Sequence, residues 1–365
     1  MNKEIYNELI AFHPGYYVAE VIEDMEITQE EFAKRLDLTP KHLSELVNGK
    51  AKITPDIAKK LSFMLNTSIE MWLNLQKAYE VKIAEIDAAK DMNSQIDIIK
   101  LLDYNFFVKN KFISYIKESH KRVTQLCSFF QVSSLNVLRR PDLSANFRSA
   151  SSVQTDKNVI CANAWLETAI QIGKGKEVKR YKAEKLQSFL PQIRELTLKQ
   201  PDIFIPELDK IFVECGIALV LLPKMKNAKI NGVVKWLTSS KALVAMNDRQ
   251  SYTDTFWFSL FHEIKHVFQH KTKQVMISCT DRDLCELNKQ YEDEADDFSQ
   301  NYLIPPKEYE MFVSTSSLSK ASVRQFANRI GIHPGIVVGR LQNDGILEHS
   351  MMNDLRDKIS ILVKA

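Results

Sequence analysis

His262-Glu263-Ile264-Lys265-His266 sets two imidazoles four positions apart with a carboxylate beside the first. On a helix, positions i and i+4 share a face, so both rings can reach one metal ion while Glu263 lies where an attacking water would be held. The chemistry this spacing predicts is zinc-dependent hydrolysis of a peptide bond. The pentapeptide alone is a weak signal, because surface helices carry it by accident. Its context is stronger: the run from Tyr252 to Phe261 continues into Ile264, Val267 and Phe268, so the helix is apolar on nearly all sides and belongs in a core. Buried histidines need partners, and a metal ion satisfies both.

A second, acidic helix is expected from Tyr291 to Ile304. Tyr291, Ala295, Phe298, Tyr302 and Leu303 follow helical spacing, and Glu292 and Asp296 stack at i and i+4. One of these carboxylates can bind the metal and the other can hydrogen-bond a ligand histidine from behind. Taken alone, the helix also reads as a solvated charged face. Two histidines, one glutamate and an open fourth position describe a catalytic site, since a structural zinc site would have four protein ligands.

The elements that must position these groups belong to a chain of 365 residues, enough for two or three domains with their own cores. A composition of 45% hydrophobic and 26% charged residues fits a globular chain and argues against a disordered one. No run of eighteen apolar residues appears, and the amino terminus lacks the basic-then-apolar order of a signal peptide, so a cytoplasmic protein with no membrane segment is expected. Five cysteines, Cys127, Cys161, Cys215, Cys279 and Cys285, are scattered and odd in number, and read as reduced, packed thiols. The formal net charge of +3 decides little by itself.

Residues 1–80 read as five short helices. Thr28 caps the second, with Glu31 completing a capping box; Thr39 caps the third, Pro40 fills its first turn and Asn48-Gly49 stops it. A fourth begins at Thr54-Pro55 and a fifth near Thr67-Ser68. The second and third, joined at Asp37-Leu38-Thr39, have helix-turn-helix geometry. These eighty residues carry a net charge of −4, yet residues 34–60 carry +4, concentrated in Lys34, Arg35, Lys41, Lys50, Lys52, Lys59 and Lys60. The pattern predicts that the third helix enters the major groove of double-stranded operator DNA. Lys41, His42, Ser44 and Glu45 would lie near base edges, and Gln29, Asn48 and Lys50 would hold phosphates. A symmetric operator implies a homodimer.

The predicted fold class is mostly α with a smaller α+β domain. Residues 1–80 form the helix-turn-helix bundle, 81–200 a helical connecting region, 201–312 a zincin-like domain and 313–365 a helical extension. In the connecting region Asn146-Phe147-Arg148-Ser149 and Trp165 could line a ligand pocket, but core packing and loop structure are the simpler reading. Cys215–Leu222, Asn231–Leu237 and Ala242–Met246 read as strands, with the second expected to be the edge strand that cradles an extended substrate.

Two resemblances follow from these residues. His13-Pro14-Gly15, Thr28–Ala33, Leu43–Gly49 and Trp72–Gln76 resemble a HigA-type antitoxin of the Xre helix-turn-helix superfamily. Ile230-Asn231-Gly232, Phe256-Trp257-Phe258 running into the zinc motif, Glu292–Phe298 and Leu303-Ile304-Pro305-Pro306 resemble the ImmA/IrrE metallopeptidases. The resemblance implies one zinc ion held by His262, His266 and Glu292, with Glu294 the rival third ligand, Glu263 as general base and Asp296 behind a histidine. Lys265 departs from the family, where a small or apolar residue is common. Tyr291, Tyr302 and His270 are the candidate oxyanion stabilisers. The implied function is a DNA-binding repressor or antitoxin whose carboxyl-terminal part cleaves a regulatory protein partner. The alternative is a non-catalytic repressor whose peptidase-like part only binds a toxin or signal.

Overall fold

The computed structural model describes residues 3–140, 155–247, 252–269, 275–279, 289–315 and 317–359. The chain divides into two compact units, Met1–Gln95 and Ile96–Ala365. It is mostly helical, and among the described residues no helix is long and apolar enough to cross a membrane.

The first unit opens with an antiparallel hairpin, β1 (Lys3–Tyr6) and β2 (Leu9–Phe12), turned through Asn7 in the left-handed region. The sequence reading had only helices here. Four helices follow: α1 (Gly15–Asp24), α2 (Gln29–Arg35), α3 (Pro40–Val47) and α4 (Pro55–Leu65). Thr28, Thr39 and Thr54 each accept a hydrogen bond from the backbone three residues on, which satisfies amides that the first helical turn leaves unpaired. The fifth helix, α5 (Ile69–Leu101), is not short: its 33 residues contain neither glycine nor proline to stop it. Val18, Phe32, Leu36, Leu43, Leu46, Ile57, Leu61 and Trp72 form the core. A Cβ at Gly15 would fall on the Leu46 carbonyl, so glycine lets α1 approach the end of α3.

The second unit continues through α6 (Tyr104–Lys109), α7 (Ser119–Phe130), α8 (Asp156–Gly175), α9 (Ala183–Glu195) and α10 (Pro201–Cys215) into a sheet of β3 (Ile217–Leu221), β4 (Ile230–Thr238) and β5 (Lys241–Met246). Then come α11 (Thr253–Gln269), β6 (Val275–Cys279), α12 (Lys289–Leu303), α13 (Pro306–Thr315), α14 (Lys320–Ile330) and α15 (Pro334–Asn343). The sheet order is β3-β5-β4-β6, with β3 parallel to β5 and the other pairs antiparallel.

Three expectations change. The first strand begins at Ile217, because Cys215 ends α10 and Gly216 caps it with a left-handed backbone. Residues 231–237 are no edge: β4 is enclosed by β5 and β6, so its ladder groups are already paired on both sides. The boundaries at 200 and 312 cut through one core, which joins Leu190 of α9, Phe204 of α10, Phe261 of α11, Leu303 of α12, Phe326 of α14 and Val337 of α15. Trp165 is fully buried on α8, its indole donating to the Pro223 carbonyl at 3.2 Å. Asn146–Ser149 lie outside the described residues. Cys161 and Cys215 are buried free thiols, Cys127 is half-buried, and Cys285 lies outside the described residues.

Candidate functional site

The metal motif sits on α11, whose Phe256, Trp257, Leu260, Phe261, Ile264 and Val267 are buried with His262, Glu263 and His266. The helix packs against α12, α15 and β4, so its polar groups have their water replaced by protein. His262 Nε2 and His266 Nε2 lie 2.9 Å apart. Glu292 of α12 completes the triangle, with Oε2 3.2 Å from His262 Nε2 and Oε1 3.3 Å from His266 Nε2. These three are the group of metal-ligating type that converges among the described residues, their ligand atoms all within 4.8 Å of one another.

The donor set fits zinc. Ligands at 2.0–2.1 Å from a tetrahedral zinc ion stand roughly 3.3 Å from one another, which two of the three separations match and the third approaches. Burial disfavours charge on His262, but its contacts with Asp296 and Glu292 prevail and raise its pKa to about 10. Burial likewise opposes ionisation of Glu292, and the two imidazoles overcome it, lowering the carboxyl to about 2. A proton thus collects where lone pairs converge, the electrostatic condition for holding a cation.

Behind the triangle, Asp296 Oδ1 stands 2.8 Å from His262 Nδ1, on the side away from the cluster. Glu294 points elsewhere: it accepts from Gln269 Nε2 at 3.0 Å and lies 3.6 Å from Lys265 Nζ. Lys265 is thereby turned toward α12. Gln269, which the sequence reading passed over, places Oε1 2.8 Å from His266 Nδ1. Its signal was its position three residues after a ligand, on the same helix face.

Glu263 is completely buried beside β4. A Cβ at Gly232 would fall on its carboxylate, so the glycine is the notch into which Glu263 fits. The β4–β6 register slips between Ile230 and Gly232, a bulge at Asn231. Asn231, Glu263 and His262 line a cavity of about 460 Å³ that continues along Phe258 and Ser259 to Arg340 of α15. Neither Tyr291 nor Tyr302 lines it. Tyr302 stacks on Phe261, Tyr291 is 40% exposed, and His270 lies outside the described residues.

A second group missed in the sequence closes the far wall. Asp254, buried at the start of α11, accepts from Arg356 Nε at 3.0 Å and Nη2 at 2.8 Å. Burial raises the Asp254 pKa and the Arg356 contact opposes the rise. Gly339 of α15 leaves room for its carboxylate. Nothing local marks this pair, since 102 positions separate its members.

In the first unit, α3 buries Leu43, Leu46 and Val47 and turns Lys41 outward, with His42, Ser44 and Glu45 half-buried. Gln29, Asn48 and Lys50 are exposed. Asn48 Nδ2 donates to the Ser44 carbonyl at 2.8 Å, capping the helix end. Lys34, Arg35, Lys52 and Lys60 are tied to Glu30, Glu31, Glu80 and Asp37, and Lys41 stands 3.9 Å from Glu45. Among the described residues Lys50 and Lys59 carry no ion pair, so their charge is the most available to a polyanion.

Comparison with known proteins bears on this unit. The family model described as helix-turn-helix matches residues 18–72, from α1 into α5. The HTH-type transcriptional regulator YddM of Escherichia coli K12 is 39% identical over 72 residues, 20% of this chain and 77% of that protein. Virulence-associated protein I of Dichelobacter nodosus is 35% identical over 82 residues, 22% of this chain and 76% of that protein. Among solved structures, an addiction module antidote protein of the HigA family from Coxiella burnetii is similar at 32% identity and a TM-score of 0.22, covering 23% of this chain and 92% of that one. Through its amino-terminal domain, the chain belongs to the helix-turn-helix family of transcriptional regulators.

Proposed function

We propose that the chain is a DNA-binding regulator of the repressor or antitoxin type that also carries a zinc-dependent endopeptidase, and that it acts on a regulatory protein partner. The observation that carries the enzymatic half is the convergence of His262, His266 and Glu292 beside a completely buried Glu263. His262, His266 and Glu292 would hold one zinc ion beside the cavity that His262 and Glu263 line. What zinc supplies when bound is Lewis acidity, which polarises a peptide carbonyl and acidifies a nearby water. Glu263 takes a proton from the attacking water and passes it to the amine that leaves when the C–N bond breaks. Asp296 keeps the His262 ring oriented, and the packed walls of α11 and β4 exclude bulk water from the carboxylate.

The regulatory half rests on family membership and on α3. That helix enters the major groove of operator DNA, with Lys41, His42, Ser44 and Glu45 toward the bases and Gln29 and Lys50 toward phosphates. Asn48, whose Nδ2 contacts both the Ser44 carbonyl and the Ser44 hydroxyl, reaches a phosphate by giving up the longer hydroxyl contact. A homodimer reads a two-fold operator.

The test compares cells producing the wild-type chain with cells producing Glu263→Gln, by sequencing all new protein amino termini. Termini that appear only with the wild type identify the substrate, and their absence overturns the peptidase reading. Elemental analysis should find about one zinc per chain, lost in His262→Ala and in His266→Ala; zinc retained in both variants removes the site.

A further inference from the structure

We propose that Gln269 and Glu294 together form a clamp that positions the metal ligand His266, a role that rests on the zinc reading above. The argument runs through donors and acceptors. Gln269 Nε2 lies 3.0 Å from Glu294 Oε2 and 3.2 Å from the Tyr291 carbonyl oxygen. A carboxylate and a carbonyl only accept at these contacts, so the nitrogen end of the Gln269 amide must face them. A flipped amide would set three oxygens against one another.

With that end fixed, the amide oxygen is the atom 2.8 Å from His266 Nδ1. An amide oxygen cannot donate, so Nδ1 carries the ring hydrogen and Nε2 presents its lone pair to the cluster. The orientation of one ligand on α11 is therefore set by a carboxylate on α12. Glu294, the rival third ligand in the sequence, is instead a support one step removed from the metal position. Lys265 and Gln290 hold it there, at 3.6 and 3.3 Å.

The two histidines are supported differently. His262 leans on a carboxylate, Asp296, whereas His266 leans on a neutral carboxamide. Glu292, Asp296 and Glu263 already bring three carboxylates to the site, so an amide orients the second ring without adding a fourth charge against it. It also ties α11 to α12, as the Asp296 contact with His262 does.

The experiment measures zinc affinity of the full chain by competition with a chromophoric chelator. Gln269→Leu keeps the bulk of the side chain and removes both hydrogen-bonding ends. Its affinity should fall roughly 10- to 100-fold, the usual cost of losing such a support. Gln269→Glu alone sets two carboxylates together and should also weaken binding. Combining Gln269→Glu with Glu294→Gln restores an acceptor–donor pair between the two positions but leaves the Tyr291 carbonyl without its donor, so it should recover part of the affinity that Gln269→Glu loses. A side chain that merely filled space would show no such rescue. Wild-type affinity in Gln269→Leu, or a double variant no better than Gln269→Glu, overturns the proposal. Should Gln269→Leu fail to fold, the comparison of Gln269→Glu with the double variant decides alone. A wild-type chain that takes up no zinc removes the metal reading, and the clamp with it, whereas zinc uptake indifferent to all these variants removes only the clamp.

Discussion

The helix-turn-helix domain and the helix pair that brings His262, His266 and Glu292 together are built by opposite means. In the first, each of α2, α3 and α4 is announced by its own threonine cap, and the fold is a packing of locally specified pieces. In the second, Gly232, His262, His266, Glu292 and Asp296 come from three elements spread over more than sixty positions, and no one segment contains the site. The lesson concerns tolerance. A locally specified helix loses about one cap's worth of stability when its signal is removed, whereas a convergent site fails when a single approach distance changes.

The largest effect is expected where convergence is tightest. Gly232→Ala puts a methyl group into the space of the Glu263 carboxylate, so cleavage of any substrate found in the amino-terminus survey should fall roughly 10²-fold or more while zinc content stays near one per chain. Unchanged cleavage would mean that Glu263 does not need its notch. A second effect is sharper in form. In the metal-free protein His262 holds its proton to about pH 10, and zinc requires the neutral ring, so metal binding must displace that proton. Zinc affinity should rise roughly tenfold per pH unit between pH 6 and 8, and Glu292, ionised above about pH 2, adds no slope. A pH-independent affinity would break the argument.

The expected effects are smaller in the locally built domain. Thr39→Ala should cost about 1 kcal/mol in denaturant unfolding, by removing the acceptor for the His42 amide. Lys50→Ala should weaken binding to every DNA sequence alike and reduce the slope of log affinity against log salt by about one. A mutant with the wild-type slope would take Lys50 off the contact surface, and a larger loss from Thr39→Ala than from Gly232→Ala would reverse the comparison itself.

This contrast also explains what could be read in advance. Thr28, Thr39, Thr54 and the prolines after the last two mark helix starts through backbone chemistry that acts within four residues. The histidine pair was visible because both rings share one turn-to-turn face. The hairpin of β1 and β2 was not, since four-residue strands around Asn7-Glu8 lack the Asn-Gly signature that fixes such turns. Taking β4 for an edge was the cost of missing β6, a five-residue strand too short for its alternation to stand out. The choice between Glu292 and Glu294 needed the distance between two helices, and the Asp254–Arg356 pair needed the whole second unit.

That last pair carries a consequence for how the molecule comes into being. A nascent chain grows in order, so when Asp254 is added the guanidinium that will neutralise it is still 102 codons from being translated. Until then the acid cannot be seated in its place between α11 and Gly339 except by taking up a proton or keeping its water. The helix bearing His262 and His266 is therefore locked only after almost all of the second unit has been synthesised. Fragments released early lack the lock, so interrupted translation does not leave behind a finished histidine–carboxylate cluster.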